Sequence, residues 1–343
     1  MERLFDPLRD EDPLPPSEVD IDRAIVAGRR QVRARWVGTA AVVAAVAFLV
    51  PVLGLPGGGG SSVGPATQPG SAVGIEDFDP MRRVVTVADV PGATPESYTT
   101  ARRWQRIMLK IGETGFGLAT VYAPGRQATD GQGVIRPETG TPAEPIGGRP
   151  AYWVGRENGE LLAWQWTDGA WALLTVEYAG AGGDAGTDSE ADRDTMRRIA
   201  QAVRVGVGEP VTMPFTLPLP TPPLPTPHRL IGATTQIRPP DNPFVRTGLV
   251  FATEDPSDPD REVGAVSVAV ENGSKMAQHL GANQTVDGHP AKVDGESVII
   301  FGFTDEFAID VRGPSDALLT IARTVRMVPT PSDKSTWTSQ PLT

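Results

Sequence analysis

The chain has 343 residues, a net charge of −11 and no cysteine. Without a thiol it has no disulfide framework, no cysteine nucleophile, no lipid-modified cysteine and no cysteine-ligated zinc. The acidic balance argues against nucleic acid, or an anionic membrane surface, as the main partner, and no motif implies a cofactor.

Residues 1–36 hold seven Arg and eight Asp or Glu, a net of −1, so the remainder carries −10. Ser17 is a fair helix N-cap, with Glu18 and Asp20 in the first turn and arginines at the far end, as the helix dipole favours. Ile21, Ile25, Gly28, Val32 and Trp36 then recur along one helical face. Ile21, Ile25 and Val32 form a candidate docking face for a cytoplasmic, basic partner protein; the alternative is an inert juxtamembrane helix with Trp36 as interfacial anchor.

Val37–Leu55 is an apolar run of 19 residues without a charged side chain. At ~1.5 Å per residue a helix of that length just spans a hydrocarbon core of ~30 Å. Arg29, Arg30, Arg33 and Arg35 precede it, which predicts a cytoplasmic N-terminus and extracytoplasmic C-terminal domains, with the lipid bilayer as partner through Val37–Leu55. A cleaved signal peptide would have a shorter charged region and a shorter apolar run. A buried helix of a soluble domain is rarely apolar on every face. Residues 56–80, rich in Gly, Ser and Pro, read as a flexible linker.

From residue 81 the chain repeats itself. Gly148-Arg149-Pro150-Ala151 matches Gly288-His289-Pro290-Ala291, and Gly159-Glu160 matches Gly295-Glu296. Trp164 aligns with Phe301, Trp166-Thr167-Asp168 with Phe303-Thr304-Asp305, and Ile199-Ala200-Gln201-Ala202-Val203-Arg204 with Ile321-Ala322-Arg323-Thr324-Val325-Arg326. Four blocks in the same order predict a duplicated unit, 81–207 and 228–329. The proline-rich stretch 208–227 between them reads as an edge strand followed by a spacer, and the polar residues 330–343 as a frayed tail.

Within each unit the pattern is mostly strand. In the first, residues 84–87, 106–111, 118–122, 161–166 and 170–176 are short, β-rich runs; in the second, 248–253, 265–270, 297–303 and 307–311 repeat the pattern. Each unit closes on an apolar stripe at helical spacing, Met196, Ile199, Ala200 and Val203 in one and Leu318, Ile321, Ala322 and Val325 in the other. The expected fold class is α+β: one N-terminal transmembrane helix, then two repeated antiparallel β-sheet units, each closed by a C-terminal helix.

Four of the seven tryptophans lie between Tyr152 and Trp171. Such a cluster could stack on sugar rings, which suits a cell-wall ligand. Trp164 and Trp166 sit two apart on one face of a strand, opposite phenylalanines in the repeat, and read as core. That leaves Tyr152, Trp153 and Trp171 as candidate ligand-stacking aromatics. His228, His279 and His289 have no ligand or relay spacing and read as solvated loop residues. The acidic runs 254–260 and 184–194 lack the alternation and closing glutamate of a calcium loop. Gly57–Gly60 lacks the lysine of a phosphate loop.

The segment Pro15-Pro16-Ser17-x-Val19-Asp20-Ile21-Asp22-Arg23-Ala24-x-x-x-Gly28-Arg29-Arg30, the arginine cluster, the single apolar run and the Ile-Ala-x-x-Val-Arg-terminated units resemble uncharacterised single-pass membrane proteins of GC-rich bacteria. Some of these have a transmembrane anti-sigma-factor-like layout. The segment carries neither the His nor the paired Cys of the zinc-type anti-sigma domain. The chain as a whole reads as a non-enzymatic, membrane-tethered envelope protein that senses or scaffolds, with signalling through residues 1–36. The alternatives are a glycan-binding module and an envelope hydrolase.

Overall fold

Runs that alternate apolar and polar residues favour strands with one buried face. A computed structural model describes residues 77–343, apart from 114, 131–132, 157–158, 179–188, 219–227, 237–245, 257–263, 273–279, 305–306 and 315. The first half of this body contains β1 (Arg82–Val87), β2 (Ala93–Ala101), β3 (Trp104–Ile111), β4 (Gly115–Tyr122), β5 (Thr129–Asp130), β6 (Gly133–Val134), β7 (Thr141–Ile146), β8 (Arg149–Arg156), β9 (Gly159–Thr167) and β10 (Ala170–Tyr178). A helix, Ser189–Ala202, and β11 (Val203–Pro210) complete it. The second half contains β12 (Phe215–Thr216), β13 (Arg229–Gln236), β14 (Arg246–Ala252), β15 (Val266–Asn272), β16 (Gln284–Val286), β17 (His289–Val293), β18 (Ser297–Thr304) and β19 (Phe307–Arg312), then a helix, Leu318–Thr324, and β20 (Arg326–Met327).

Fourteen of these strands form one antiparallel sheet in the order β16-β17-β18-β19-β15-β14-β13-β2-β3-β4-β10-β9-β8-β7. This overturns the expected α+β class with two separate sheet units. The described residues are mostly β, and the two halves share one continuous sheet. Each half contributes its strands to this sheet in the same internal order, so the duplication is visible in topology, but the first strand that each half gives to it, β2 or β13, pairs with the other's from Ser97↔Gln236 to Ala101↔Gly232.

The expected single-pass membrane layout also needs correction for this body. No helix among the described residues is long and apolar enough to cross a membrane. Val37–Leu55, the docking face Ile21, Ile25 and Val32, and the linker up to residue 76 lie outside the described residues.

Both predicted helical stripes are buried on the sheet. Met196, Ile199, Ala200 and Val203 join Ile107, Leu174 and their neighbours in one core. Leu318, Ile321, Ala322 and Val325 join Phe251, Val268, Ile309 and their neighbours in another. Cross-strand partners point to the same side of a sheet. Tyr98 lies opposite Thr235 and Thr100 opposite Ala233, with Tyr98 in one core and Ala233 in the other, so both cores occupy one face.

The repeated sequence blocks have physical causes. The arginine ending each Ile-Ala-x-x-Val-Arg block turns back on its helix terminus. Arg204 donates to the carbonyls of Gln201 and Val203, and Arg326 to those of Arg323 (2.6 Å) and Val325 (3.1 Å). The glycine of the Gly-x-Pro-Ala block belongs to a two-residue hairpin turn, Gly147-Gly148 in one half and Asp287-Gly288 in the other, with positive φ at all four positions. The alanine is buried, opposite Trp164 in one half and opposite Ile300 in the other. Trp164 therefore corresponds to Ile300, not to Phe301 as the sequence alignment has it. An irregularity between Ile300 and Thr304, with Gly302 at φ 73°, shifts the register. Phe301 consequently faces the other side of the sheet with Ile299 and Ala308, and Phe303 returns to the helix side.

The tail is ordered, contrary to the expectation of fraying. Met213 and Thr338 exchange backbone hydrogen bonds of 2.9 and 3.0 Å, and the amide of Leu217 donates to the carbonyl of Pro341 at 2.6 Å. These bonds and the buried Trp337 tie down residues that polarity alone leaves loose.

At the seam, a Cβ built on Gly232 would lie 2.7 Å from the carbonyl oxygen of Thr100, part of the partner strand's backbone. Gly232→Val is therefore expected to destabilise the fold by about 2 kcal/mol in urea unfolding. Gly155→Ala, where the added atom meets nothing within 4 Å, serves as the control and should leave the midpoint nearly unchanged. Equal effects of the two variants would refute the close approach.

Candidate functional site

The β2–β13 seam is the floor of a cleft of about 250 Å³ on the face that carries the helices. Tyr98, Thr100, Ala233 and Thr235 form that floor. Arg83 and Glu209, on the paired strands β1 and β11, line it together with Thr212; Lys334 and Trp337, from the tail, also line it.

Local geometry positions each group. Gln105, almost wholly buried on β3, donates to the carbonyl of Arg82 at 2.7 Å and accepts from the amide of Val84 at 2.9 Å, fixing the backbone on both sides of Arg83. The Arg83 guanidinium lies 4.4 Å from the centroid of the Tyr98 ring and is paired with Glu209. Burial pushes the Tyr98 phenol above its usual value; the Arg83 charge opposes this and the Glu209 charge adds to it. The phenol is therefore a hydrogen-bond donor at neutral pH. In the tail, the Asp333 side chain accepts from the amide of Ser335 at 2.9 Å and starts a 3-10 turn, Lys334–Thr336. That bond, with the Ser335 side chain, holds the Asp333 carboxyl below its usual range. The Trp337 indole donates to the carbonyl of Pro331 at 2.8 Å, and the Lys334 ammonium lies 5.8 Å from its ring centroid.

The cleft thus has two cations held over aromatic rings, one carboxylate already paired, and the hydroxyls of Tyr98, Thr212 and Thr235. Thr100 is committed elsewhere, donating to the carbonyls of Pro80 and Ala233. None of the cleft groups belongs to the aromatic signals read from the sequence. The signal that could have pointed to the cleft is Trp337, a lone tryptophan in a polar tail whose composition reads as frayed.

The sequence-derived candidates separate. Trp153 is 6% exposed, sits in the core beneath the first helix, and has Arg193 at 5.1 Å over its ring, so it offers no stacking surface to a ligand. Trp164 is buried, as expected, while Trp166 is partly buried and donates its indole N–H to the carbonyl of Tyr122 at 2.9 Å. Tyr152 and Trp171 are half-buried on the opposite face, with centroids 6.0 Å apart and planes at 57°. Trp171 borders a shallow groove of about 230 Å³ beside Arg126 and Glu138. His289 stacks on Phe303 at 4.6 Å, and its Nδ1 lies 3.1 Å from the carbonyl oxygen of Gly302, so it is not simply solvated. His228 Nε2 lies 3.3 Å from the Gly264 carbonyl oxygen, and His279 is outside the described residues. Asp255, in the acidic run 254–260, has its side chain covered between Arg229 at 2.6 Å and Arg102 at 3.7 Å. Among the described residues no group of three acidic or histidine side chains could hold a metal.

A second polar cluster lies on the opposite face of the second half. Asp310 on β19 is fully buried, with Arg312 at 2.8 Å and Arg246 at 3.8 Å; Arg246 also meets Glu271 at 3.1 Å. Burial pushes the Glu271 carboxyl up to about 7; Arg246 opposes this and Asp310 adds to it. No family model matches this chain, and no curated protein matches it.

Glu271 keeps its proton in the folded state at pH values where the unfolded chain, with an ordinary carboxyl near 4.5, has released it. Stability is therefore expected to fall as pH rises from about 4.5 to about 7, and to level off above, with a slope of at most about 1.4 kcal/mol per pH unit. Glu271→Gln should flatten that window in urea titrations at several pH values; an unchanged profile would assign the titration elsewhere.

Proposed function

We propose that this chain is a non-enzymatic recognition protein that senses or scaffolds, and that the cleft on the β2–β13 seam is where it engages its ligand. The observation that carries this reading is the convergence of three hydroxyls with no protein hydrogen-bond partner among the described residues, those of Tyr98, Thr212 and Thr235, on a cleft flanked by two ring-held cations. Buried or half-buried polar groups without partners cost free energy unless water or a ligand satisfies them. Here they converge from β2, from β13 and from the crossing between the halves, where the amides of Val211 and Met213 donate to the carbonyls of Met81 and Thr338. A concave site with a few convergent polar groups is the usual form of a small-molecule site. The chemistry of the cleft is that of binding: phenol and alcohol donors, fixed cations, and a carboxylate engaged by Arg83.

Thermal-shift screening of the full chain against small acids, bases, sugars and short peptides is expected to yield ligands that raise Tm. Their effect should disappear in Thr212→Trp, which fills the cleft. Ligands that still act on that variant would move recognition elsewhere, and conversion of a ligand to product would make the chain an enzyme.

One observation favours a second reading, a glycan-binding module. Tyr152 and Trp171 stay half-exposed side by side on the opposite face. Trp171→Ala is then expected to weaken retention on purified cell wall several-fold, whereas equal retention would remove this reading.

A further inference from the structure

The two aromatic rings of the cleft are both occupied. Tyr98 is buried with a guanidinium over its face, and Trp337 is buried with an ammonium over its face. Neither offers the open ring on which a neutral sugar would stack. The rings instead hold two cations at the cleft, an arrangement that cation–π attraction stabilises.

The cations are not equivalent. Arg83 is neutralised by Glu209. The Lys334 ammonium is exposed and meets no carboxylate at ion-pair distance among the described residues. The cleft therefore carries one surplus positive charge, in a chain whose net charge is −11. That charge is bordered by hydroxyl donors. Burial keeps the Tyr98 phenol protonated, and alcohols at Thr212 and Thr235 have no protein partner among the described residues. Charge-assisted hydrogen bonds to a carboxylate use this combination of one cation and neutral donors. A cationic ligand would meet Lys334 and the Arg83 guanidinium. A volume of about 250 Å³ admits a molecule of metabolite size and is too small for a folded domain.

We propose that the seam cleft binds a small organic acid, its carboxylate paired with Lys334 and hydrogen-bonded by the hydroxyls of Tyr98, Thr212 and Thr235. This rests on the reading of the cleft as the recognition site. The acid's body lies along the floor formed by β2 and β13, and the Arg83–Glu209 pair lines the same cleft. Because Lys334 is exposed, the attraction is screened and affinity falls with salt.

The test uses matched probes on the full chain at low ionic strength: benzoate against benzamide, and glucuronate against glucose, followed by saturation-transfer NMR and calorimetry. The acids are expected to bind at least tenfold more tightly than their neutral partners, and the two pairs distinguish an aromatic acid from a sugar acid. Lys334→Met should weaken the acids at least fivefold and leave the neutral probes unchanged, and Lys334→Arg should restore most of the loss. Lys334 is exposed, so neither substitution threatens folding. Neutral probes that bind as well as the acids, and are lost in Thr212→Trp, would overturn the acid while leaving the recognition cleft intact. Binding of no probe in a manner sensitive to Thr212→Trp would overturn both. Acid binding indifferent to Lys334→Met would overturn the assignment of the carboxylate.

Discussion

The pairing of β2 with β13 is the constraint on which the rest of the body depends. Five residue pairs join the leading strands of two topologically equivalent halves into one sheet. Because cross-strand partners share a face, this pairing places both helices on the same side, and the cleft lies on that side with the seam as its floor. The seam is secured by more than ladder bonds. Thr100 donates across it to the Ala233 carbonyl at 3.3 Å, and Asp255 bridges Arg229, at the start of β13, and Arg102, just after β2. Losing both arginines would leave the Asp255 carboxylate, only 6% exposed, without a counter-charge, whereas Arg102 and Arg229 stay hydrated without it. The free edges fall at the far ends of the sheet. β7 carries Pro142 and Pro145, and β16 is three residues long, both common ways of discouraging edge-to-edge association.

The two halves keep the same scaffold and differ on the face away from the helices. In the first half the excursion through β5, β6 and the 3-10 turn Pro137–Thr139 lays Ala128 and Ile135 over Trp104, Tyr122 and Leu173. In the second half the corresponding strands carry Arg246, Glu271, Asp310 and Arg312 on that face. One half thus has an added apolar layer, the other a dense charge network with a proton held near neutral pH. The cleft uses neither specialisation. It is built from the parts that join the halves: the leading strands, the crossing from β11 to β12, and the tail that returns to pair with Met213.

Much of the secondary structure was legible in the sequence, because it follows from local periodicity. The stripes at Met196–Val203 and Leu318–Val325 bury as their spacing requires, and the apolar runs at 106–111, 161–166 and 307–311 fall within strands. Three features were not legible. β2 carries three threonines beside Pro, Glu and Ser, and β13 two threonines beside Gln and Arg, so no strong apolar alternation marks them. The alignment of Trp164 with Phe301 fails because one irregular residue step reverses which side chain faces the helix. Trp153 invited a ligand reading through composition alone, whereas its burial depends on a helix about forty residues later in the chain.

The repeated blocks, the two apolar stripes at helical spacing and the short β-rich runs could be read from the chain directly, since each is set by a few neighbouring residues. Tertiary structure alone decided that the two copies make one sheet, that the polar tail is ordered, and that Arg83, Tyr98, Thr212, Thr235 and Lys334 meet at one place. The physical reason is separation along the chain. Local propensity acts over a turn or a strand, while the seam and its cleft bring together residues from positions 83 to 337, and only packing selects which of them become neighbours.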